Sequence, residues 1–254
     1  MIPYRDENPT LKVPVVTYAI VALNVLVWVL VEGAGLGYPL ARSVCELGLI
    51  PAELTGRAVA GTAVPMGPGL VCELTAGRGY FHVISSMFLH GSWMHIIGNM
   101  WFFWIFGNNI EDSMGHLRFA GFYLMCGIAA ALAQVAMDPS SPIPVVGASG
   151  AISGVMGAYL ILYPRVRVYT LVFLGFFLTT VALPAWAMLG YWIVLQLLSA
   201  VPALAGAQAE AGVAFWAHIG GFIVGAAAIK LFARSDYLLS RRQNPWAPER
   251  VRWG

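Results

Sequence analysis

Three histidines, an asparagine and two serines stand among neighbours that are almost all apolar: His90, His95 and Asn99, then Ser149 and Ser153, then His218. A serine hydroxyl becomes a nucleophile when a base takes its proton, and histidine titrates in the right range for that work. Ser149 with His218 therefore suggests acyl transfer. His95 and Asn99 stand at i, i+4 and share one helix face. Together with the backbone N–H groups at the start of the Ser149 helix, they could hold a tetrahedral oxyanion. Each residue also has a plain structural reading. A serine among glycines packs helices, and His95 with Asn99 could be an interhelical hydrogen-bonding pair. Asn24 and Gln134 are isolated and read as helix–helix hydrogen bonds.

The medium around these residues follows from composition. Of 254 residues, 59% are hydrophobic and 10% charged, against about 25% charged in an ordinary globular protein. So few charges cannot cover a water-facing surface, and the chain reads as an all-α polytopic membrane protein. Fourteen Lys+Arg against twelve Asp+Glu leave a net charge of +2, too balanced for a nucleic-acid partner. The three cysteines (Cys45, Cys72, Cys126) are too few for a disulfide-dense scaffold, and their spacing matches no zinc motif. No metal or cofactor is implied. The first apolar stretch is too long for a signal h-region and lacks a convincing cleavage site.

Stretches free of Asp, Glu, Lys and Arg give the spans: Val13–Val31, Val83–Ile110, Phe119–Met137, Pro139–Pro164, Val168–Ala209 and Ala211–Ile229. A helix needs about 20 residues to cross the hydrocarbon layer. Val168–Ala209, at 42 residues, has room for one span or two. Basic residues cluster at both ends of the chain, so the positive-inside rule requires an even number of crossings. Six spans place eleven of the fourteen basic residues inside, leaving only Arg42, Arg57 and Arg78 outside. Pro184 divides the long window, because proline disfavours helical continuation. The fifth span is expected at about Pro184–Val201, with Val168–Leu183 a connection packed on the bundle or lying at the interface. The organisation expected is a cytoplasmic segment 1–12, a six-helix membrane domain 13–232 with a long external loop at about 33–82, and a basic, loosely ordered cytoplasmic tail 233–254. Cys45 and Cys72 in that loop could pair if its side is oxidising; two unpaired thiols fit the sequence equally well.

This topology brings the polar residues together. Even-numbered spans all run from outside to inside, which places His95, Ser149 and His218 at similar depths toward the external face. Gly150, Gly154 and Gly157 form one smooth helix face, and His218, Gly221 and Gly225 form another. Such faces let helix backbones approach closely in a membrane. Fourth span against sixth then sets a hydroxyl beside an imidazole. No window contains a carboxylate, and Glu210 lies eight residues before His218, about 12 Å along a helix. A Ser–His dyad is the arrangement the sequence permits. Zinc proteolysis of the HExxH kind is excluded by spacing, because His90 and His95 are five apart with no glutamate between them. Aspartyl proteolysis lacks its membrane aspartates.

The motifs MFLHGSWMHIIGNMWFFWIFG (Met87–Gly107), EDSMG (Glu111–Gly115), GASGAISG (Gly147–Gly154) and AHIGGFIVG (Ala217–Gly225) resemble those of the rhomboid intramembrane serine proteases, from the first span through Ile229. The resemblance implies Ser149 as nucleophile and His218 as general base. It also implies an oxyanion site from His95, Asn99 and the Ser149 backbone N–H, and helix packing through Gly150, Gly154, Gly221 and Gly225. His90 matches a structural histidine of the family. The fifth helix and its apolar connection correspond to the lateral entrance. Two positions depart from the pattern. Phe81-His82 replaces a Trp-Arg pair that braces the first loop, and Ser153 replaces an aromatic residue that stacks on the base.

The function expected is an intramembrane serine endopeptidase acting on transmembrane segments of other proteins within a lipid bilayer. The alternatives are a catalytically silent rhomboid-like scaffold or quality-control protein that binds transmembrane helices, and a small transporter using the same polar cluster. The short N-terminus and absence of a targeting segment suggest a bacterial plasma membrane, with the site toward the external side.

Overall fold

The apolar windows and the folded elements do not coincide everywhere, and the differences have local causes. The computed structural model describes residues 1–77, 79–175, 177–204 and 214–243. In chain order these form β1 (Ile2–Asp6), α1 (Val15–Leu30), α2 (Gly37–Leu47), α3 (Pro51–Leu54), β2 (Ala63–Gly67), β3 (Leu70–Glu73), α4 (Phe81–Ser85), α5 (Trp93–Met114) and α6 (His116–Met137). They continue as α7 (Ser149–Leu162), β4 (Arg167–Leu174), β5 (Phe177–Pro184), α8 (Ala185–Leu204), α9 (Phe215–Phe232) and α10 (Ser235–Gln243). Arg78, Glu210 and the end of the tail fall outside the described residues.

The window Val83–Ile110 is not one helix. α4 ends at Ser85 and α5 starts at Trp93, where the Ser92 side chain accepts the His95 N–H at 3.2 Å as an N-cap. At its other end α5 runs past Ile110 through Glu111 and Asp112, both buried. Their burial has a purpose. Pro14 gives the start of α1 no side-chain cap, so its free backbone donors need partners from elsewhere. The Glu111 carboxylate accepts from Val16 N–H at 2.9 Å, Thr17 N–H at 2.7 Å and the Thr17 hydroxyl, while Asp112 accepts from Leu11 and Lys12 N–H. Gly115, with φ of 83°, makes the break into α6. Asn24, expected to bond a neighbouring helix, donates instead to Ile20 O one turn back in α1. Prolines at 139, 142 and 144 keep the chain non-helical until α7 begins at Ser149.

The connection Val168–Leu183 is a β-hairpin. Its run of β-branched and aromatic residues suits a pleated strand, and Gly175 (φ 63°) sits in its turn. β4 pairs antiparallel with β5, and β1 adds to the other side of β4 with Ile2 opposite Leu171. The first residues, expected merely to precede the bundle, are thus a strand lying along α5. The Trp101 indole N–H donates to Pro3 O, and the Asn109 amide donates to the Asp6 carboxylate at 2.9 Å. α8 then begins directly after Pro184.

On the opposite side, the loop after α1 folds into α2, α3 and the β2–β3 hairpin. A disulfide joins Cys45 of α2 to Cys72 of β3. Where Phe81-His82 stands in place of the Trp-Arg pair, His82 Nδ1 lies 2.9 Å from the Gly79 carbonyl oxygen and Nε2 3.1 Å from that of Glu46, and the ring N–H donates to one of them. The loop is therefore braced by an imidazole. Glu32, just beyond α1, is fully buried, and its carboxylate accepts the His90 N–H at 2.6 Å. Burial pushes the Glu32 carboxyl up from 4.5 to about 7, partly offset by that N–H bond. Between these values the folded chain holds a proton that the unfolded chain has released. Glu32 thus favours folding most below pH 4.5, and that contribution is lost as pH rises through about 7. Thermal unfolding in detergent is expected to show a falling Tm from pH 5 to 7.5. The Glu32→Gln variant should flatten this trend, and an unchanged slope would refute the assignment.

α7 runs through the centre, buried from Gly150 to Tyr159, with α5, α6, α8 and α9 around it. Large apolar side chains such as Leu30, Trp104, Leu198 and Ile223 point outward from the surrounding helices. His116–Met137 and Phe215–Phe232 are long and apolar enough to cross a membrane, and Val15–Leu30, Ser149–Leu162 and Ala185–Val201 are shorter apolar helices.

Candidate active site

Glycine faces bring α7 and α9 together. A Cβ built on Gly221 would land on the carbonyl oxygen of Gly150, and one on Gly225 would land on that of Gly154. Gly150 and Gly154 in turn leave room for Ala130 and Cys126 of α6. At this separation the first residue of α7 meets the fourth of α9. The Ser149 Oγ lies 2.8 Å from His218 Nε2. Gln134 acts between helices as expected, its side-chain oxygen accepting the Ala217 N–H at 3.3 Å and so holding the start of α9.

The imidazole has a second partner that sequence reasoning missed. His218 Nδ1 lies 2.7 Å from the side-chain oxygen of Gln196 on α8. One turn earlier, Trp192 sets its ring 5.7 Å from the imidazole. Ser153, at the position of the expected aromatic, turns its hydroxyl back to Ser149 O at 2.6 Å. α8 therefore supplies the contacts that α7 lacks. The signal was available, because Trp192 and Gln196 are i, i+4 and Gln196 is a strongly polar side chain within an apolar helix.

His95 and Asn99 face the same space from α5. Gly91 N–H donates to His95 Nδ1 at 3.3 Å, which leaves any neutral-ring proton on Nε2, the nitrogen beside Gly147. Gly147 has φ of 127°, and a Cβ there would lie 2.7 Å from His95 Nε2. The Asn99 amide nitrogen is buried and has no hydrogen-bond partner among the described residues, a donor in wait for an acceptor. Ser149 opens α7, so its N–H is free of intrahelical bonding. His90 is fully buried and stacks edge-on against His95, with ring centroids 5.1 Å apart. His95, Asn99, Ser149 and His218 line a cavity of about 590 Å³ that reaches from Ser92 inward to Met156, with Trp192 as its wall on α8.

The arrangement can activate a hydroxyl and offer N–H donors beside it. If the site performs acyl transfer, truncating Asn99 to alanine is expected to lower kcat by about 100-fold with KM little changed, the usual cost of one oxyanion donor; steady-state kinetics would check this, and an equal loss in 1/KM would point to substrate binding instead.

Fold and site together define a helical membrane protein with a hydroxyl–imidazole pair at the head of its central helix, open to a cleft. The rhomboid domain model matches residues 77–235, well over half of the chain, and the chain belongs to the rhomboid family. It is an integral membrane protein of that helical fold. Among curated relatives, RHOMBOID-like protein 5 of Arabidopsis thaliana is 32% identical over 80 residues, covering 32% of this chain and 26% of that protein. Rhomboid protein 1, mitochondrial, of Saccharomyces cerevisiae is 30% identical over 95 residues, covering 36% and 28%. Rhomboid-like protease 5 of Toxoplasma gondii is 34% identical over 82 residues, covering 31% and 9%. Each match thus spans less than a third of the relative's own length.

Proposed function

We propose that this chain is an intramembrane serine endopeptidase that cleaves transmembrane segments of other membrane proteins. The observation that carries the reading is the 2.8 Å contact between Ser149 Oγ and His218 Nε2 inside a cleft that also holds an unpartnered Asn99 amide. Ser149 Oγ attacks the scissile carbonyl carbon while its proton passes to His218 Nε2. The tetrahedral oxyanion accepts hydrogen bonds from the Ser149 N–H, the Asn99 amide and His95 Nε2–H. His218 then gives its proton to the departing amine, the C–N bond breaks, and an acyl-enzyme ester remains. Water, deprotonated by His218, hydrolyses the ester and restores Ser149. Nothing in these steps calls for a metal or cofactor.

A substrate helix hides its carbonyls in i→i−4 bonds, so cleavable segments are those that unwind easily near the cut. Six spans with both termini cytoplasmic place the site toward the external face, which agrees with a disulfide in the loop on that side. The relatives named above include a mitochondrial protein, so the bacterial plasma membrane is the narrower part of the proposal, and cell fractionation tests it.

The direct test is a fluorophosphonate probe on the purified chain in detergent, run beside a model transmembrane substrate. The parent is expected to be labelled and to cleave, while Ser149→Ala does neither. Labelling or cleavage that survives Ser149→Ala would remove the mechanism. Substrate capture without cleavage by the parent would give the silent-scaffold reading in its place.

A further inference from the structure

We propose that Gln196 of α8 is a positioning residue for the His218 imidazole. The proposal rests on the serine-protease reading above. It begins with proton counting. A neutral imidazole carries one N–H, and a general base for Ser149 must have its free lone pair on Nε2. The Gln196 oxygen, 2.7 Å from Nδ1, can only accept, so it selects the Nδ1–H form and turns Nε2 toward the Ser149 hydroxyl. An amide oxygen performs here the orienting role that a carboxylate performs in a triad. It does so without burying a charge in the membrane, where an ionised group is costly.

Among the described residues, the neighbouring elements leave this task to α8. On α9, the residues beside His218 are Ala217, Ile219, Gly220 and Gly221, none with a polar side chain. Gln134 of α6 reaches only the Ala217 backbone, and Ser153 of α7 is bonded within its own helix. Among the described residues, His95 of α5 is the other titratable side chain lining the cleft, and it faces Gly147. Trp192 joins Gln196 on the same helix face and packs on both His218 and Phe222.

The experiment uses the full chain in detergent, with probe-labelling rate, kcat, KM and thermal unfolding read for each variant. Gln196→Met keeps the length and removes the acceptor, and Gln196→Leu repeats the test with a different shape. Both are expected to lower kcat and labelling by about tenfold to a hundredfold, the cost of a misplaced reacting group, with KM and Tm nearly unchanged. Gln196→Glu restores an acceptor and is expected to recover labelling, with the acid limb of its pH–rate profile at higher pH than that of the parent. Trp192→Ala loosens α8 and should slow labelling in the parent yet add little to Gln196→Met, a non-additivity that marks a shared unit. Wild-type kcat in Gln196→Met, a Gln196→Glu variant as slow as Gln196→Met, or strictly additive losses with Trp192→Ala would each overturn the proposal. Cleavage persisting in Ser149→Ala would instead refute the protease reading on which it rests.

Discussion

Replacing His218 by alanine is expected to lower the rate of peptide cleavage by about 10⁴-fold or more while the protein stays folded. The size of the effect follows from the chemistry. Without a base at 2.8 Å the Ser149 hydroxyl keeps its proton, and it is a weak nucleophile in that form. His218 is half-buried in the cleft wall, and its removal leaves the α7–α9 glycine contacts untouched, so the Tm should move by only a few degrees. The two residues act as a unit. A Ser149→Ala/His218→Ala double variant should therefore be no slower than either single one. Parallel kcat measurements and unfolding curves on the three variants decide the matter. A loss smaller than tenfold in His218→Ala would mean that another group takes the proton.

The second large effect is steric. Gly225→Val is expected to destabilise the fold by more than about 4 kcal/mol, a loss reserved for a few severe mechanisms such as overpacking. A Cβ at this position falls on the backbone carbonyl of Gly154, and no rotamer change can move a backbone carbonyl aside. The collision is with the helix that carries Ser149. Even a variant that folds must widen the α7–α9 spacing and draw His218 away from its partner, so activity should vanish at temperatures where helicity persists. Gly121→Ala in α6 is the matched control, because a Cβ there meets nothing within 4 Å. Its stability should be unchanged or slightly raised, alanine being the better helix former by about 1 kcal/mol. Equal Tm values for Gly225→Val and Gly121→Ala would contradict the close packing.

Much of the site was legible because it obeys short-range rules. The i, i+4 and i, i+7 spacings at Gly150, Gly154, Gly157, Gly221 and Gly225 define helix faces whatever else the chain does, and Pro184 marked where α8 begins. What escaped was non-local or chemically ambiguous. Counting uncharged residues treats a strand and a helix alike, so Val168–Leu183 hid a hairpin although its β-branched and aromatic content differs from that of a helix. The same counting set the end of α5 at Ile110, since it takes a carboxylate as the end of a span. Glu111 and Asp112 continue α5 because their side chains accept backbone N–H groups of α1 and of the residues just before it, about a hundred positions away. Gln196 was passed over for a related reason. A count of charged residues does not register an amide, and only the folded arrangement reveals which imidazole it faces.

The pairing of β1 with β4 has a consequence for the order in which the molecule can be completed. Ile2 finds its partner only at Leu171, after four of the long helices have been synthesised. β1 must therefore wait without its β4 partner while α1 and α5 to α7 are made. Pro3 cannot be fixed by the Trp101 indole in its final strand until the hairpin arrives. β1 is made before the helices that follow it and paired only after them, so the strand acts as a latch set by the later half of the chain.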